Sequence, residues 1–147
     1  MKQKAKEALT CLLNSYSQIF FSDDKLFAVL LLIVSFADVY AGLAGLISVL
    51  TTNYAGVIIG FDKVTIRKGI FGFNSLLVGL CLGIFFSPGV LLYIIVILAS
   101  LLTLFISVSM QGVIGKYGLP FLSVPFLIGA WIVTLATRNM SFLGISE

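Results

Sequence analysis

The chain has 147 residues, of which 60% are hydrophobic and 10% carry a charge, and its formal net charge is +3. Soluble domains devote roughly a quarter of their residues to charged types, so this sequence has too few charges to cover a water-facing surface. The composition predicts an all-α integral membrane protein and excludes a soluble globular domain. Membrane topology accounts for the small positive charge, which gives no reason to expect a nucleic-acid partner.

The predicted elements form a single membrane domain over residues 1–147. Residues 8–22 are apolar at first and then mix polar and aromatic residues, a stretch too short to cross a bilayer. An interfacial amphipathic helix and a re-entrant half-helix both fit this segment. Apolar runs then predict five membrane spans, at 26–37, 39–60, 69–86, 90–112 and 119–137.

The count of spans depends on two features. Residues 69–115 contain no charged side chain. As helix they would reach roughly 70 Å, enough for two crossings of a core about 30 Å thick. Asp38 interrupts the first apolar stretch, so it marks the far end of a short first span or lies inside the membrane facing protein or water. We favour the first interpretation, which gives five spans.

The positions of the basic residues predict the orientation. With five spans, one side of the membrane receives Lys2, Lys4, Lys6, Lys63, Arg67, Lys68 and Lys116, and the other receives Arg138. Because positively charged loops stay in the cytoplasm, we expect a cytoplasmic N-terminus and an external C-terminus. The predicted location is the plasma (inner) membrane, as a multi-pass protein.

The residue types argue against catalysis and against a cofactor. The chain has no His and only six Asp and Glu residues, whereas general acid-base catalysis needs such groups placed together in a pocket. Cys11 and Cys81 stand far apart without His, so a metal site or a redox pair is not expected. The sequence therefore predicts a protein that is not an enzyme and holds no cofactor or metal.

Small residues recur at helical spacing inside the apolar runs. One group lies in the second predicted span and another in the third: Ala41, Gly42, Ala44 and Gly45, then Gly79 and Gly83. Small residues on one helix face let two backbones approach closely in a membrane. We interpret these residues as helix contacts within a tight bundle.

Two further segments carry polar or backbone-breaking residues into apolar stretches. Gly72-Phe73-Asn74-Ser75-Leu76-Leu77-Val78-Gly79 places an amide and a hydroxyl among aromatic residues, and Leu119-Pro120-Phe121-Leu122-Ser123-Val124-Pro125-Phe126 has two prolines flanking a hydroxyl. Proline has no N–H, so carbonyls that it would have paired are left free. Free carbonyls persist at membrane depth only where protein or water satisfies them, which suggests a lined pathway.

These two segments resemble the repeated signature of the urea transporter family, bacterial and animal. Ser17-Gln18-Ile19-Phe20-Phe21 is similar to the family's entry segment. The three motifs occur in the family's order, and the likeness covers nearly the whole chain. The chain resembles one of the family's two homologous halves, of the N-terminal type.

The resemblance implies a passive, channel-like pathway for urea, with two inverted halves per subunit and three subunits in a trimer. Each half would contribute a re-entrant pore helix and five spans. Carried over residue by residue, it implies that Gln18 is a polar group at the end of the pore helix and that Phe21 and Phe73 are walls of a flat slot. Leu77 would line the pore, and Ser123 would place a hydroxyl near its narrow centre, where the family commonly has Thr.

The sequence shows one copy of a unit that complete family members contain twice. Two chains could pair in opposite orientations, a separate chain could supply the second half, or the sequence could be truncated. The strong charge bias disfavours the inverted pair of identical chains. A non-conducting subunit that needs a partner half, and a channel for ammonia, water or short amides, are the alternatives to urea transport.

Overall fold

A computed structural model describes residues 2–137 of the chain, with side chains from residue 6 onward. Regular structure in this part is helical, which confirms the all-α class. The helices are α1 (Lys2–Ser17), α2 (Lys25–Ser35), α3 (Val39–Ile59), α4 (Lys63–Arg67), α5 (Gly72–Phe85), α6 (Val90–Ile114) and α7 (Val124–Thr137), with 3-10 helices at Gln18–Phe20 and Gly115–Tyr117. Arg138, the one basic residue predicted on the far side, lies outside the described residues.

Two helical stretches are long and apolar enough to cross a bilayer. They are Val39–Ile59, with 21 residues, and Val90–Tyr117, with 28. At about 1.5 Å per residue, the shorter of the two already matches a core about 30 Å thick. The helices α2, α5 and α7 are apolar but have only 11, 14 and 14 residues. The count of five spans therefore stays a prediction.

Left-handed residues explain why two helices begin later than the predicted spans. The span predicted from residue 69 becomes helical at Gly72, and the one predicted from 119 becomes helical at Val124. Gly69 has φ +78° and Leu122 has φ +47°, and a residue in that conformation cannot continue a right-handed helix. Both regions keep their apolar character but lose regular backbone hydrogen bonding.

Asp38 lies in the turn between α2 and α3. It is exposed, and its Oδ1 accepts hydrogen bonds from the N–H groups of Tyr40 at 2.9 Å and Ala41 at 3.2 Å. These bonds satisfy two donors that the start of any helix leaves unpaired. The carboxylate thus caps α3, as the favoured interpretation of the first span requires.

The most extensive helix pair is α3 with α5, and small residues make it possible. A Cβ atom added to Gly79 would lie 2.6 Å from the Ala44 carbonyl oxygen and 2.6 Å from Ser48 Cβ. One added to Gly83 would lie 2.5 Å from Ala41 Cα. The two backbones are in direct contact, which confirms the interpretation of these glycines. Close approach of this kind supplies the van der Waals attraction that holds helices together where lipid removes the hydrophobic driving force.

A buried group of serines joins α3, α5 and α6. The hydroxyl oxygens of Ser48 and Ser100 are 2.8 Å apart. The Ser48 hydroxyl also donates to the Ser75 carbonyl, and the Ser100 hydroxyl donates to the Val96 carbonyl. The two hydroxyl protons are thus shared among three close contacts. Ser48, Ser75 and Ser100 are all fully buried. Because no water competes at that depth, these bonds fix the three helices in one register.

The remaining helices pack against this three-helix centre. A Cβ added to Gly129 of α7 would lie 2.5 Å from Thr103 Oγ1 of α6. On the other side, α1 packs against α2, where the fully buried Tyr16 has its hydroxyl oxygen 3.4 Å from that of Ser35. The ends of α1, α5 and α7 are thereby brought to one region of the bundle.

We predict that Gly79→Ala destabilises the protein, because the new methyl group has no space between α3 and α5. Overpacking of this kind costs about 1–3 kcal/mol. The measurement is the thermal unfolding midpoint in detergent. Gly112→Ala is the matched control, since Gly112 is also helical but has open space around its Cβ position. The control should unfold at the same or a higher temperature, and equal destabilisation by both substitutions would contradict the prediction.

Candidate functional site

Phe21 and Phe73, the two predicted aromatic walls, are in contact. Their ring centroids are 6.2 Å apart and their planes meet at 67°, an edge-to-face arrangement. Phe21 follows the 3-10 helix in a left-handed conformation, with φ +54°, and its N–H donates to the Gln18 carbonyl at 3.1 Å. A non-glycine residue in this conformation is strained. Phe73 is buried, whereas 61% of Phe21 is exposed.

Asn74, the neighbour of Phe73, ties α5 to the start of α7. Its Nδ2 donates to the Leu122 carbonyl at 3.1 Å, and its Oδ1 accepts from the Phe126 N–H at 3.2 Å. The side chain is fully buried. Phe126 lies in the first turn of α7, where N–H groups have no partner within the helix. A side chain from another helix thus acts as the cap of α7.

The segment before α7 has an irregular backbone. Pro120 and Pro125 donate no backbone hydrogen bond, and Leu122 is left-handed. The carbonyls of Leu119 and Pro120 accept no hydrogen bond from residues 2–137. Both residues are exposed. Carbonyl oxygens are therefore available at this edge of the protein, beside the point that Asn74 holds.

The other three predicted site residues lie around these contacts. Leu77, half-buried, is one helical turn after Phe73 on α5. Ser123 is half-buried and immediately precedes α7; its carbonyl accepts from the Leu127 N–H at 3.2 Å, and its hydroxyl bonds to none of the described residues. Gln18 begins the 3-10 helix, and its Nε2 donates to Asp23 Oδ1 at 3.4 Å. The structure joins Phe21 with Phe73, whereas the Gln18 side chain bonds elsewhere.

Comparison with known families decides what kind of protein carries this arrangement. The family model described as urea transporter matches residues 9–147. The chain belongs to the urea transporter family. The match confirms the predicted resemblance. Members of this family are integral membrane proteins that transport urea. Urea transporters are not an enzyme family, and between residues 2 and 137 no group of three or more His, Cys, Asp or Glu could hold a metal ion.

Asn74 is the residue of this urea transporter whose contacts the sequence did not predict. It stands in a motif that was singled out, but its partners lie 48 and 52 positions further along the chain. A signal was present: an amide inside an apolar run needs partners, and the Pro-containing segment has spare backbone groups. Matching the one to the other would have placed α5 beside the start of α7.

We predict that Asn74→Leu loosens the start of α7. The change leaves the Phe126 N–H and the Leu122 carbonyl without partners, and an unpaired buried group costs about 1–3 kcal/mol. Hydrogen exchange at the Phe126 amide should become faster, and the thermal midpoint should fall. The matched control is Asn14→Leu, which also removes an interhelical amide bond, to the Arg67 carbonyl at 2.7 Å, but has no contact with α7. Unchanged exchange at Phe126 in Asn74→Leu would show that the side chain does not cap α7.

Proposed function

We propose that the protein conducts urea passively, through a channel whose wall includes Phe21, Phe73, Leu77 and Ser123. The observation that carries the proposal is the edge contact between Phe21 and Phe73, beside a broken backbone segment held by Asn74. Helix α5 thus connects the aromatic pair, through Phe73, to the irregular segment with its carbonyl acceptors, through Asn74. We propose that Gln18 adds a polar group at the end of the pore helix, although its Nε2 bonds to Asp23 in this structure.

The chemistry of urea fits these groups. Urea is planar and neutral, with four N–H donors and one carbonyl acceptor, so a selective path needs a flat apolar slot with acceptors at its edges. Removing an amide from water without new hydrogen bonds costs roughly 2–7 kcal/mol. The carbonyls of Leu119 and Pro120 and the hydroxyl of Ser123, which have no hydrogen-bond partner among the described residues, are acceptors that can replace water. None of the proposed lining residues is charged, so a hydrated ion would lose water without compensation.

We propose that a second copy of this unit, in the same or in another chain, forms the opposite wall. Phe21 is 61% exposed within this unit, so its ring is available to face a second unit. Large apolar side chains are also exposed along α7, with Trp131 at 73% and Leu135 at 66%. The family resemblance adds a trimer of such paired units. A subunit that conducts nothing without its partner half is the alternative.

The proposed orientation has a cytoplasmic N-terminus in the plasma (inner) membrane. Lys63 and Arg67 lie on α4, and Lys68 ends it, between the first long apolar helix and α5. Lys116 lies at the end of the second long helix. If the bundle crosses the membrane five times, these residues face the same side, the one that the positive-inside rule assigns to the cytoplasm.

We predict that Phe21→Ala and Ser123→Leu each reduce urea permeability at least tenfold. The first removes one wall of the slot, and the second replaces a hydroxyl by a bulky apolar group. The protein is purified by an affinity tag on this chain, together with any subunits bound to it, and reconstituted into liposomes. Urea entry is then followed by light scattering after a urea gradient is imposed. Wild type should accelerate urea entry without raising ion leakage.

Two matched variants control for general damage. Phe20→Ala removes the adjacent exposed ring, which contacts Phe27 edge to face and makes no ring contact with Phe73. Ser109→Leu places leucine on the exposed face of α6. Both should keep wild-type permeability. Unchanged urea flux in well-folded Phe21→Ala and Ser123→Leu would remove these residues from the pathway. If the wild-type protein accelerated the entry of water or ammonia but not of urea, the channel would be assigned to that other solute.

We predict that urea flux accompanies only those purified species that contain at least two units. Size-exclusion chromatography with light scattering separates a single chain from larger assemblies, and each fraction is reconstituted separately. One unit supplies one wall, so the single-chain fraction should give the permeability of empty liposomes. Flux from inserted single chains would show that one unit encloses the pathway.

A further inference from the structure

A cationic surface cavity lies where α1 meets α4, and neither Phe21 nor Phe73 lines it. Its volume is about 370 Å³, and its lining residues are Asn14, Lys63, Val64, Arg67 and Lys68. Val64 is 61% exposed, and the three basic side chains are exposed as well. The cavity therefore combines three positive charges with an apolar surface.

The backbone beneath the cavity is held in place by α1. Asn14 Nδ2 donates to the Arg67 carbonyl at 2.7 Å, and a Cβ added to Gly69 would lie 2.5 Å from the Ser15 nitrogen. Gly69 has φ +78°, which lets the chain leave α4 at this close contact. The three cations are thus carried by a short helix that is fixed against its neighbour.

The acidic residues near these cations form no direct ion pair with them in the part of the chain whose side chains are described. Lys63, Arg67 and Lys68 form no ion pair with residues 6–137. The nearest acidic residue along the chain, Asp62, caps α4 and accepts from the Thr65 N–H at 2.8 Å and the Thr65 hydroxyl at 2.5 Å. These bonds, and to a smaller extent the nearby positive charge of Lys68, lower the pKa of Asp62. The Oδ2 atom of its carboxylate is engaged by Thr65. Glu7, on α1, is exposed and is not among the residues that line the cavity.

We propose that this cavity binds the phosphate group of an anionic phospholipid. Several Lys and Arg side chains around one cavity match the charge of a phosphate and its oxygen acceptors. The cavity follows the long apolar helix α3, so the proposed membrane topology puts it where headgroups meet water, and the exposed Val64 can contact the lipid's apolar part. The cavity is open to the surface, so a lipid headgroup can enter it from outside. Basic clusters next to membrane spans attract anionic lipid in this way.

The test compares two double variants with equal loss of charge. Lys63→Gln with Lys68→Gln removes two cations of the cavity, and Lys25→Gln with Lys116→Gln removes two exposed lysines elsewhere. The probe is phosphatidylglycerol added to the purified full-chain assembly in detergent, with bound lipid counted by native mass spectrometry. Phosphatidylcholine and inorganic phosphate are the comparison ligands.

Removal of the two cavity lysines should weaken phosphatidylglycerol binding roughly 5-fold for each lysine, the factor that corresponds to about 1 kcal/mol per cation near an anionic surface. The control pair should change it less than 2-fold. Equal weakening by both pairs, or equal binding of phosphatidylcholine, would overturn the proposal. Displacement of the lipid by inorganic phosphate at equal concentration would also overturn it, in favour of a free-anion site. Urea conduction is not required for any of these results.

Discussion

The two hydrogen bonds of Asn74 are the constraint on which the candidate site depends. The prolines around Ser123 deprive the segment before α7 of regular hydrogen bonding, and an apolar environment offers no water to replace it. Asn74 supplies one donor and one acceptor to that segment, at Leu122 and Phe126. Because Asn74 follows Phe73 on α5, the same helix that carries the buried ring also fixes the position of Ser123. The aromatic and polar parts of the site are therefore placed relative to each other through helix α5, which carries both Phe73 and Asn74.

Helix α5, which carries Asn74, is held in place by its packing against α3 and α6. Gly79 brings α5 into backbone contact with α3, and the hydroxyls of Ser48 and Ser100 connect α3 to α6. In a membrane neither contact relies on water being expelled, so close packing and buried hydrogen bonds carry the stability. An irregular segment at one end is tolerated because the centre of the bundle is regular and tightly packed.

The sequence predicted the helical class, the close packing of glycines and the proximity of Phe21 and Phe73, which rests on the family motifs. The lack of charged residues and the spacing of small residues are local properties, which the amino-acid sequence shows directly. Two kinds of feature escaped. The starts of α5 and α7 depend on left-handed residues such as Leu122, a conformation that side-chain type does not reveal for leucine. The role of Asn74 depends on partners about fifty positions away, which periodicity cannot identify.

The buried serine contacts have a kinetic consequence. Helices α3, α5 and α6 share buried hydroxyl contacts away from solvent, and from these contacts we expect the three helices to move together. A wall attached to helices that move together does not need to reorganise each time a solute passes. The temperature dependence of transport would then be set by the solute's exchange of water for protein acceptors. It would resemble the shallow dependence of diffusion more than the steep one of a carrier that rearranges in every cycle.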